Sequence, residues 1–219
     1  MDGTEDIYDN AVDEAIYLPS EFSYMKNITG VLNQGSKPIC VPCSLSAYFE
    51  YKLSLKTGEI NNSKFKLLDI YNSRSEKTDG MQIKEAIEYV INTGAKYDGG
   101  IIKANKYYAI KSLLALKHAI VTNGPCIIGL PVYNTNSSEF WDACYGSLLG
   151  YHAVAVVGYD KDGFIIRNSW GNGFGRKGYV HISNDDIKQA TEIWTICWFF
   201  LKKINITDNI SIIVNIYEK

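Results

Sequence analysis

The chain has 219 residues, of which 46% are hydrophobic and 21% are charged, and its formal net charge is −2. This length and composition are typical of one compact domain, or of two closely packed halves, with a large apolar core. A net charge so near zero gives no electrostatic reason to expect binding to nucleic acid or to an acidic membrane surface.

The N-terminal segment is acidic. Residues 1–17 contain no lysine or arginine and six acidic residues, which are Asp2, Glu5, Asp6, Asp9, Asp13 and Glu14. A run of one charge sign is typical of a solvated, partly disordered leader, and we favour that interpretation. The alternative is a short pro-segment or lid that covers the functional site of its own chain.

A helix is predicted over residues 40–56, beginning at Cys40. Apolar residues recur every three to four positions, Pro42 is tolerated in a first helical turn, and Gly58 is suited to end the helix. The Cys40 thiol would lie beside unpaired backbone N–H groups at the positive end of the helix dipole. Because these groups favour a thiolate, Cys40 is a candidate nucleophile with a lowered pKa.

An oxyanion needs hydrogen-bond donors, and Gln34 is a candidate for one of them. It precedes Cys40 by six positions. Its side-chain amide and the backbone N–H of Cys40 would together stabilise the tetrahedral intermediate of acyl transfer.

Two further helices are predicted before the second half of the chain. The apolar positions between residues 83 and 91 lie on one helical face, and Gly94 ends that helix. Residues 107–118 are predicted to form another helix, with His118 on its surface.

His152 is the candidate base. It lies at the start of a predicted buried strand over 151–159, which a turn at 160–163 connects to a second strand ending at Asn168. Paired strands can bring these two residues together, so that the Asn168 amide oxygen accepts a proton from the ring and fixes its tautomer. Trp170 would shield this hydrogen bond from water. His118 and His181, the latter expected at a strand edge, lack a comparable partner motif.

Three segments resemble the papain-like cysteine peptidases. They are residues 33–40 with Gln34 and Cys40, residues 150–159 with His152, and residues 167–175 with Asn168. Their order and two of their intervals, six positions from Gln34 to Cys40 and sixteen from His152 to Asn168, match the family, and the resemblance covers most of the chain from about residue 18. His152 follows Cys40 by only 112 positions, so insertions of larger members are missing. The segment before Cys40 is similar to that of compact bacterial and viral members.

Cys43 is the alternative nucleophile, because the Cys-Val-Pro-Cys run can be aligned with the family in two registers. Cys43 would lie nine positions from Gln34 and inside the helix, where a buried cysteine is ordinary core material. We therefore favour Cys40.

The resemblance implies an α+β fold in two halves with the active-site cleft between them. The expected division is an acidic leader at 1–17, a mainly helical half at 18–120 that carries the nucleophile, and a mainly β half at 121–219 that carries His152 and Asn168. The strand over 124–133 would enter the β half, the loop with Trp141 would cap it, and closing strands are expected over 194–216. Substrate would contact Asp79, Gly80, Met81, Gly129, Leu130, Tyr151 and Trp170, and the small and aromatic residues at 129 and 151 favour an apolar substrate side chain.

The remaining expectations concern cofactors and location. The five cysteines form an odd set, which is typical of a reducing compartment, and no second Cys/His pair at ligand spacing accompanies Cys40 and Cys43, so we expect no metal and no other cofactor. The chain contains no apolar run of about 20 residues and begins without a signal peptide pattern. We expect a cytoplasmic or otherwise intracellular protein, of bacterial or viral origin by its resemblance.

The function implied is that of a cysteine endopeptidase acting on peptide or protein substrates through a Cys40 thioester. Two alternatives remain open: a transpeptidase, deamidase or acyltransferase on the same fold, and a non-catalytic binding module of the same family. Retention of all four polar catalytic residue types argues against the binding module.

Overall fold

The computed structural model describes residues 7–11, 18–58, 60, 64–76, 79–133, 147–197, 200–207 and 210–216 of the chain. In this part of the chain the α-helices are α1 (Cys40–Thr57), α2 (Leu67–Asn72), α3 (Ile83–Asn92) and α4 (Leu113–Asn123). The strands are β1 (Phe22–Ser23), β2 (Ala95–Tyr97), β3 (Gly100–Ile102), β4 (Lys106–Ala109), β5 (Cys126–Val132), β6 (Gly150–Tyr159), β7 (Phe164–Arg167), β8 (Tyr179–Ile182), β9 (Glu192–Cys197), β10 (Phe200–Thr207) and β11 (Ile210–Ile216). Short 3-10 helices occupy Tyr8–Ala11 and Asp186–Gln189.

Most strands belong to one antiparallel sheet. Its order is β4-β9-β5-β6-β7-β8, and β1 pairs with β6. The hairpins β2-β3 and β10-β11 are separate two-stranded sheets. The closing strands expected over 194–216 are therefore present, although β10 and β11 pair with each other.

Apolar side chains of the sheet contribute to two cores. Ile128, in β5, packs in the core that contains α4, whereas its neighbour Ile127 packs in the core that contains α1 and α3. Successive side chains of a strand point to opposite faces, so one strand can serve both cores. Every residue of β5 is buried, which explains its nearly continuous apolar sequence.

The predicted helix at Cys40 is confirmed. Gly58 adopts a left-handed conformation with φ of 75° and donates its N–H to the carbonyl of Ser54, which ends α1. The helix packs against α2, α3 and β6, and its residues from Val41 to Phe49 are buried. Because α1 packs on these elements, its first residue, Cys40, is held against the sheet.

The helix at residues 83–92 is also confirmed, but the helix predicted over 107–118 is wrong. Tyr107 and Tyr108 lie in β4, which pairs with β9, and α4 begins at Leu113 after Ser112, whose hydroxyl accepts a hydrogen bond from Ala115 N–H. Aromatic residues favour the pleated, half-buried environment of a strand, and a serine cap marks the start of the following helix.

His118 is buried rather than at the surface. The reason is the packing of the N-terminal segment, because the hydroxyl of Tyr8 lies 3.0 Å from His118 Nδ1 and 2.9 Å from Thr122 Oγ1. Asp9 accepts a hydrogen bond from the backbone N–H of Lys111 at 2.8 Å. The described leader residues 7–9 thus pack on α4 and beside β4, and residues 1–6 and 12–17 lie outside the described part.

The predicted strands around His152 are confirmed. β6 spans Gly150–Tyr159, a turn closed by Asp160 and Gly163 follows, and β7 ends at Arg167. His181 lies in β8, an edge strand, where it contacts Asp160 at 2.8 Å. Because β4 joins the large sheet and α4 packs on β5, β6 and β9, the division of the halves at residue 121 stays a prediction.

Candidate active site

Cys40 lies at the start of α1 and lines a cavity of about 880 Å³ together with His152. The residue before it, Ile39, provides no side-chain cap for the helix. The first N–H groups of α1 are therefore not used by a capping side chain, and they lie close to the thiol. Cys40 is half-buried, whereas Cys43, one turn further along α1, is buried in a small apolar cluster with Ile39 and Tyr71.

His152 is held by Asn168. The distance from His152 Nε2 to Asn168 Oδ1 is 2.8 Å, and both residues are buried. The same Asn168 oxygen accepts the backbone N–H of Ser169 at 2.7 Å, which fixes the orientation of the amide. Nε2 of the ring must therefore be the protonated nitrogen, and Nδ1 of the neutral imidazole is left as the acceptor.

Trp170 covers the imidazole. The ring centroids of His152 and Trp170 are 4.8 Å apart with an interplanar angle of 28°, and Phe174 packs edge-on against the indole at 4.7 Å. This stack restricts the ring of His152 to one plane and excludes water from its bond to Asn168. Trp170 contacts the base directly, and its expected contact with substrate stays a prediction.

The thiol of Cys40 lies beside the strand that carries the base. The backbone N–H of Ala153, the residue after His152, acts to lower the pKa of the thiol and therefore lies near the sulfur. The packing of α1 on β6 thus brings the thiol to the residue next to the imidazole, although Cys40 and His152 are 112 positions apart in sequence.

Burial dominates the electrostatics of both groups. It raises the pKa of the Cys40 thiol, and the backbone N–H groups of Ala153 and Val41 only partly oppose this. It lowers the pKa of His152 to about 4, against the opposing hydrogen bond to Asn168. The lowered thiol pKa expected from the helix N-terminus is therefore not found. Each group alone favours its neutral form, and proton transfer between them would create two charges that stabilise each other.

Gln34 is tied to the loop that carries Asn168. Its backbone N–H donates to the Ser169 carbonyl at 2.8 Å, its side-chain oxygen accepts the Ser169 hydroxyl at 2.5 Å, and its amide nitrogen donates to the Lys37 carbonyl at 3.0 Å. An amide nitrogen has two N–H groups, so one remains for another acceptor. Gln34 does not line the cavity, and its oxyanion role stays a prediction.

Most of the expected substrate contacts lie around the cavity. Asp79, Gly80, Met81, Gly129 and Tyr151 line it. Leu130 does not, because it is fully buried in the core that contains α4 and points away from its neighbour Gly129. Tyr151 is 68% exposed at the rim, and the loop with Trp141 lies outside the described residues.

Sequence reasoning missed two parts of the site. The first is Glu192, which with Thr191 joins Gly129 in the cavity wall, because its position depends on the pairing of β9 with β5. The second is Arg167, next to Asn168, which is buried and lies 3.1 Å from Glu50 of α1. The partners of this ion pair are 117 positions apart. A buried arginine in an otherwise apolar strand was the available signal.

The described residues also bear on the expected free thiols, metal ligands and membrane-spanning helices. Among the described residues, Cys40, Cys43, Cys126 and Cys197 are free thiols, and Cys144 lies outside them. In the same part of the chain, His, Cys, Asp and Glu side chains do not gather in groups of three or more that could hold a metal ion. No described helix has the length and apolar character needed to span a membrane.

Comparisons with known proteins show which family this chain is similar to. A family model described as "Papain family cysteine protease" matches residues 101–195. Cathepsin S from Mus musculus is 29% identical over 193 residues, covering 73% of this chain and 56% of the relative, and cathepsin F from Drosophila melanogaster is 26% identical over 210 residues, covering 77% and 34%. The chain is a homologue of the papain-family cysteine proteases.

Solved structures of the family show the same fold. Xylellain, a cysteine protease from Xylella fastidiosa, superimposes with a TM-score of 0.72 at 21% identity and covers 83% of this chain and 87% of its own. The Carica candamarcensis cysteine protease CMS1MS2, solved in complex with E-64, gives 0.69 at 22% identity, with coverage of 83% and 99%. The predicted papain-like α+β fold is confirmed. The chain spans a little over half the length of the cathepsin S relatives, 56% and 58%.

Proposed function

We propose that this papain-family homologue is a cysteine endopeptidase that hydrolyses peptide bonds through a thioester on Cys40. The observation that carries the proposal is the arrangement around one cavity. A half-buried thiol at a helix N-terminus and an imidazole fixed by an amide oxygen at 2.8 Å both line it. Nucleophilic acyl transfer needs a nucleophile and an oriented base.

The first step begins from neutral groups. Because burial disfavours the charged form of each side chain, Nδ1 of His152 takes the thiol proton as the sulfur attacks the substrate carbonyl. The resulting imidazolium stays bonded to Asn168 through Nε2–H, and the thiolate character is stabilised by the N–H groups at the start of α1. The S–C bond forms while the carbonyl oxygen becomes an oxyanion.

Neighbouring residues then stabilise the oxyanion and protonate the leaving group. In this proposal the backbone N–H of Cys40 and the second amide N–H of Gln34 donate to the oxyanion, and Ser169 and Lys37 orient that amide. The protonated His152 gives its proton to the leaving amine as the C–N bond breaks. Water, deprotonated by the same imidazole, hydrolyses the thioester and regenerates the thiol.

The substrate is proposed to be an extended peptide. Asp79, Gly80 and Met81 are consecutive residues that line the cavity together with Tyr151 and Gly129. A backbone segment of this kind can pair with an extended peptide through main-chain hydrogen bonds. Such pairing would hold the scissile carbonyl between the thiol and the oxyanion donors.

The two cysteines of α1 provide a matched test. Cys40→Ala should abolish both peptide hydrolysis and irreversible labelling by an epoxide electrophile, because it removes the nucleophile. Cys43→Ala should keep both, because Cys43 is buried in a separate apolar cluster. Mass spectrometry of the products checks the acceptor: cleaved peptide is expected, whereas a deamidated glutamine or a new amide would show transfer chemistry instead. Labelling that survives Cys40→Ala would refute the proposal.

A further inference from the structure

The first turn of α1 contains two cysteines that are three positions apart. Cys40 and Cys43 are the first and fourth residues of the helix, and both are free thiols. Helical geometry places Cα atoms at this spacing about 5 Å apart. This distance lies inside the range of about 4.4–6.8 Å over which disulfides join Cα atoms. The backbone of α1 therefore already holds the two cysteines at a separation that a disulfide can bridge.

The end of the helix can make the remaining adjustment. Helical Cβ atoms at this spacing lie about 5–6 Å apart, whereas a disulfide needs about 3.5–4.5 Å. Cys43 is fixed, because its N–H donates to the Ile39 carbonyl at 3.0 Å. Cys40 belongs to the turn whose N–H groups have no acceptor within the helix, and Ile39 provides no side-chain cap. A small change in the dihedral angles of Cys40 can therefore close the gap.

The two thiols differ in access. Cys40 lines the cavity, so a small oxidant can reach its sulfur. Cys43 does not line the cavity and is only 6% exposed, within the cluster that contains Ile39 and Tyr71. Met81 packs both against this cluster and against the core that Cys40 borders. The pair thus consists of an accessible thiol that reacts first and a sheltered thiol one turn away.

A disulfide suits this environment better than two thiolates do. Burial raises the pKa of both thiols, that of Cys43 to about 12, and a charge on Cys40 raises the pKa of Cys43 further. A disulfide is neutral, so the burial that disfavours the thiolates does not disfavour the bond. The other described cysteines, Cys126 in β5 and Cys197 in β9, lie outside α1.

We propose that Cys40 and Cys43 form a reversible disulfide, which makes the first turn of α1 a redox switch. The oxidant is of the peroxide class, and a dithiol reverses the reaction. The disulfide itself does not depend on the proposed function. The effect of the switch on hydrolysis rests on it, because oxidation stops turnover only if Cys40 is the nucleophile.

The oxidation proceeds in two balanced steps. The Cys40 sulfur attacks hydrogen peroxide, so that an S–O bond forms, the O–O bond breaks, and the departing hydroxide takes the thiol proton and leaves as water. The Cys43 sulfur then attacks the sulfenic acid on Cys40. An S–S bond forms, the S–O bond breaks, and the second hydroxide takes the Cys43 proton. A dithiol returns two electrons and two protons by thiol–disulfide exchange and is itself oxidised to a cyclic disulfide.

The proximity of Cys43 should protect the nucleophile. A sulfenic acid that finds no second thiol is oxidised further to a sulfinic acid, which a dithiol does not reduce. Attack by a thiol of the same helical turn is intramolecular and therefore has a high effective concentration. The disulfide should thus form before a second peroxide molecule reacts with Cys40.

The test compares the full chain with two variants after prolonged exposure to hydrogen peroxide. Cys43→Ala removes the second thiol of the switch, and Cys197→Ala removes a different buried thiol that does not line the cavity. The remaining thiols are alkylated, and the state of Cys40 is mapped by digestion and tandem mass spectrometry. Peptide hydrolysis is measured before oxidation, after oxidation, and after addition of dithiothreitol.

We expect the wild-type chain and Cys197→Ala to yield a peptide in which Cys40 and Cys43 are unalkylated and which is lighter by two hydrogen atoms. Their hydrolysis should be lost on oxidation and mostly regained with dithiothreitol. Cys43→Ala should accumulate sulfinic acid on Cys40 and stay inactive after dithiothreitol.

Two sets of results separate the inference from the proposed function. Sulfinic acid on Cys40 to the same extent in wild type and Cys43→Ala, or a bond from Cys40 to another cysteine, would overturn the inference and leave the proposed function intact. Hydrolysis that continues while Cys40 is in the disulfide would refute the proposed function, and with it the effect of the switch, although the disulfide itself would be upheld.

Discussion

Removing one partner of the buried ion pair between Arg167 and Glu50 should strongly destabilise the protein. The Arg167 side chain is 3% exposed and that of Glu50 is 6% exposed. Arg167 donates to Glu50 at 3.1 Å, to the Ser46 hydroxyl at 3.2 Å and to the Gly30 carbonyl at 2.7 Å. The second oxygen of Glu50 accepts the N–H and the hydroxyl of Thr29 at 2.9 and 2.7 Å.

Removing one partner would leave the other charge buried. Glu50→Gln or Arg167→Met should therefore each lower the free energy of unfolding by about 3–5 kcal/mol. For a chain of this size this corresponds to a decrease in Tm of about 6–20 °C. The pair joins α1, which carries Cys40, to β7, which leads to Asn168, so the proposed peptidase activity should fall with stability.

Denaturant unfolding followed by tryptophan fluorescence measures this change, and Arg167→Lys is the matched control. It keeps the charge but loses the planar fork that reaches three acceptors, so its cost should be smaller than that of Arg167→Met. The double variant Glu50→Leu with Arg167→Met should lose less than the sum of the single changes, because neither charge is left unpaired. Single-variant costs below about 1 kcal/mol, in the range of exposed pairs, would refute the reasoning.

Three further predictions concern individual side chains. Gln34→Ala should reduce kcat about 10²–10³-fold in steady-state assays while Cys40 can still be alkylated, and an unchanged kcat would remove Gln34 from the oxyanion site. Because the pKa of folded His152 is depressed to about 4, its contribution to stability is complete above the unfolded pKa of about 6.5 and decreases as pH falls toward 4. Denaturant titrations should show wild type losing more stability than His152→Ala over that interval, and parallel profiles would contradict the shift. Tyr8→Phe should cost about 1–3 kcal/mol in thermal unfolding, because His118 and Thr122 lose a buried partner, and no change would show that the N-terminal segment does not pack on α4.

Local sequence patterns were sufficient for the elements that hold the candidate site. The apolar period and the flanking Pro42 and Gly58 predicted α1, and the apolar run after His152 predicted β6. The papain-like fold was predicted from the short motifs that contain the candidate catalytic residues. Residues that form one active site must keep their order and spacing, so these motifs are informative about the fold. The segment around Tyr107 failed because its apolar spacing suits either structure, and pairing with β9 decided between them.

Properties that depend on contacts between distant residues could not be predicted in the same way. The position of Glu192 beside Gly129 follows from strand register, and the ion pair of Arg167 follows from the packing of α1 on the sheet. The pKa of the Cys40 thiol is another property that depends on contacts between distant residues. The helix N-terminus predicted a lowered pKa, but the extent of burial, which only the packed structure gives, outweighs it.

Trapping of the acyl-enzyme tests the central claim most directly. An activated ester of a short peptide would be mixed with the chain, quenched in acid within the first turnover, and digested for tandem mass spectrometry. The account predicts an acyl group on the sulfur of Cys40 that disappears when the reaction proceeds before quenching, and that does not form in Cys40→Ala. A persistent acyl group on another cysteine, or none on Cys40 while the ester is hydrolysed, would contradict it.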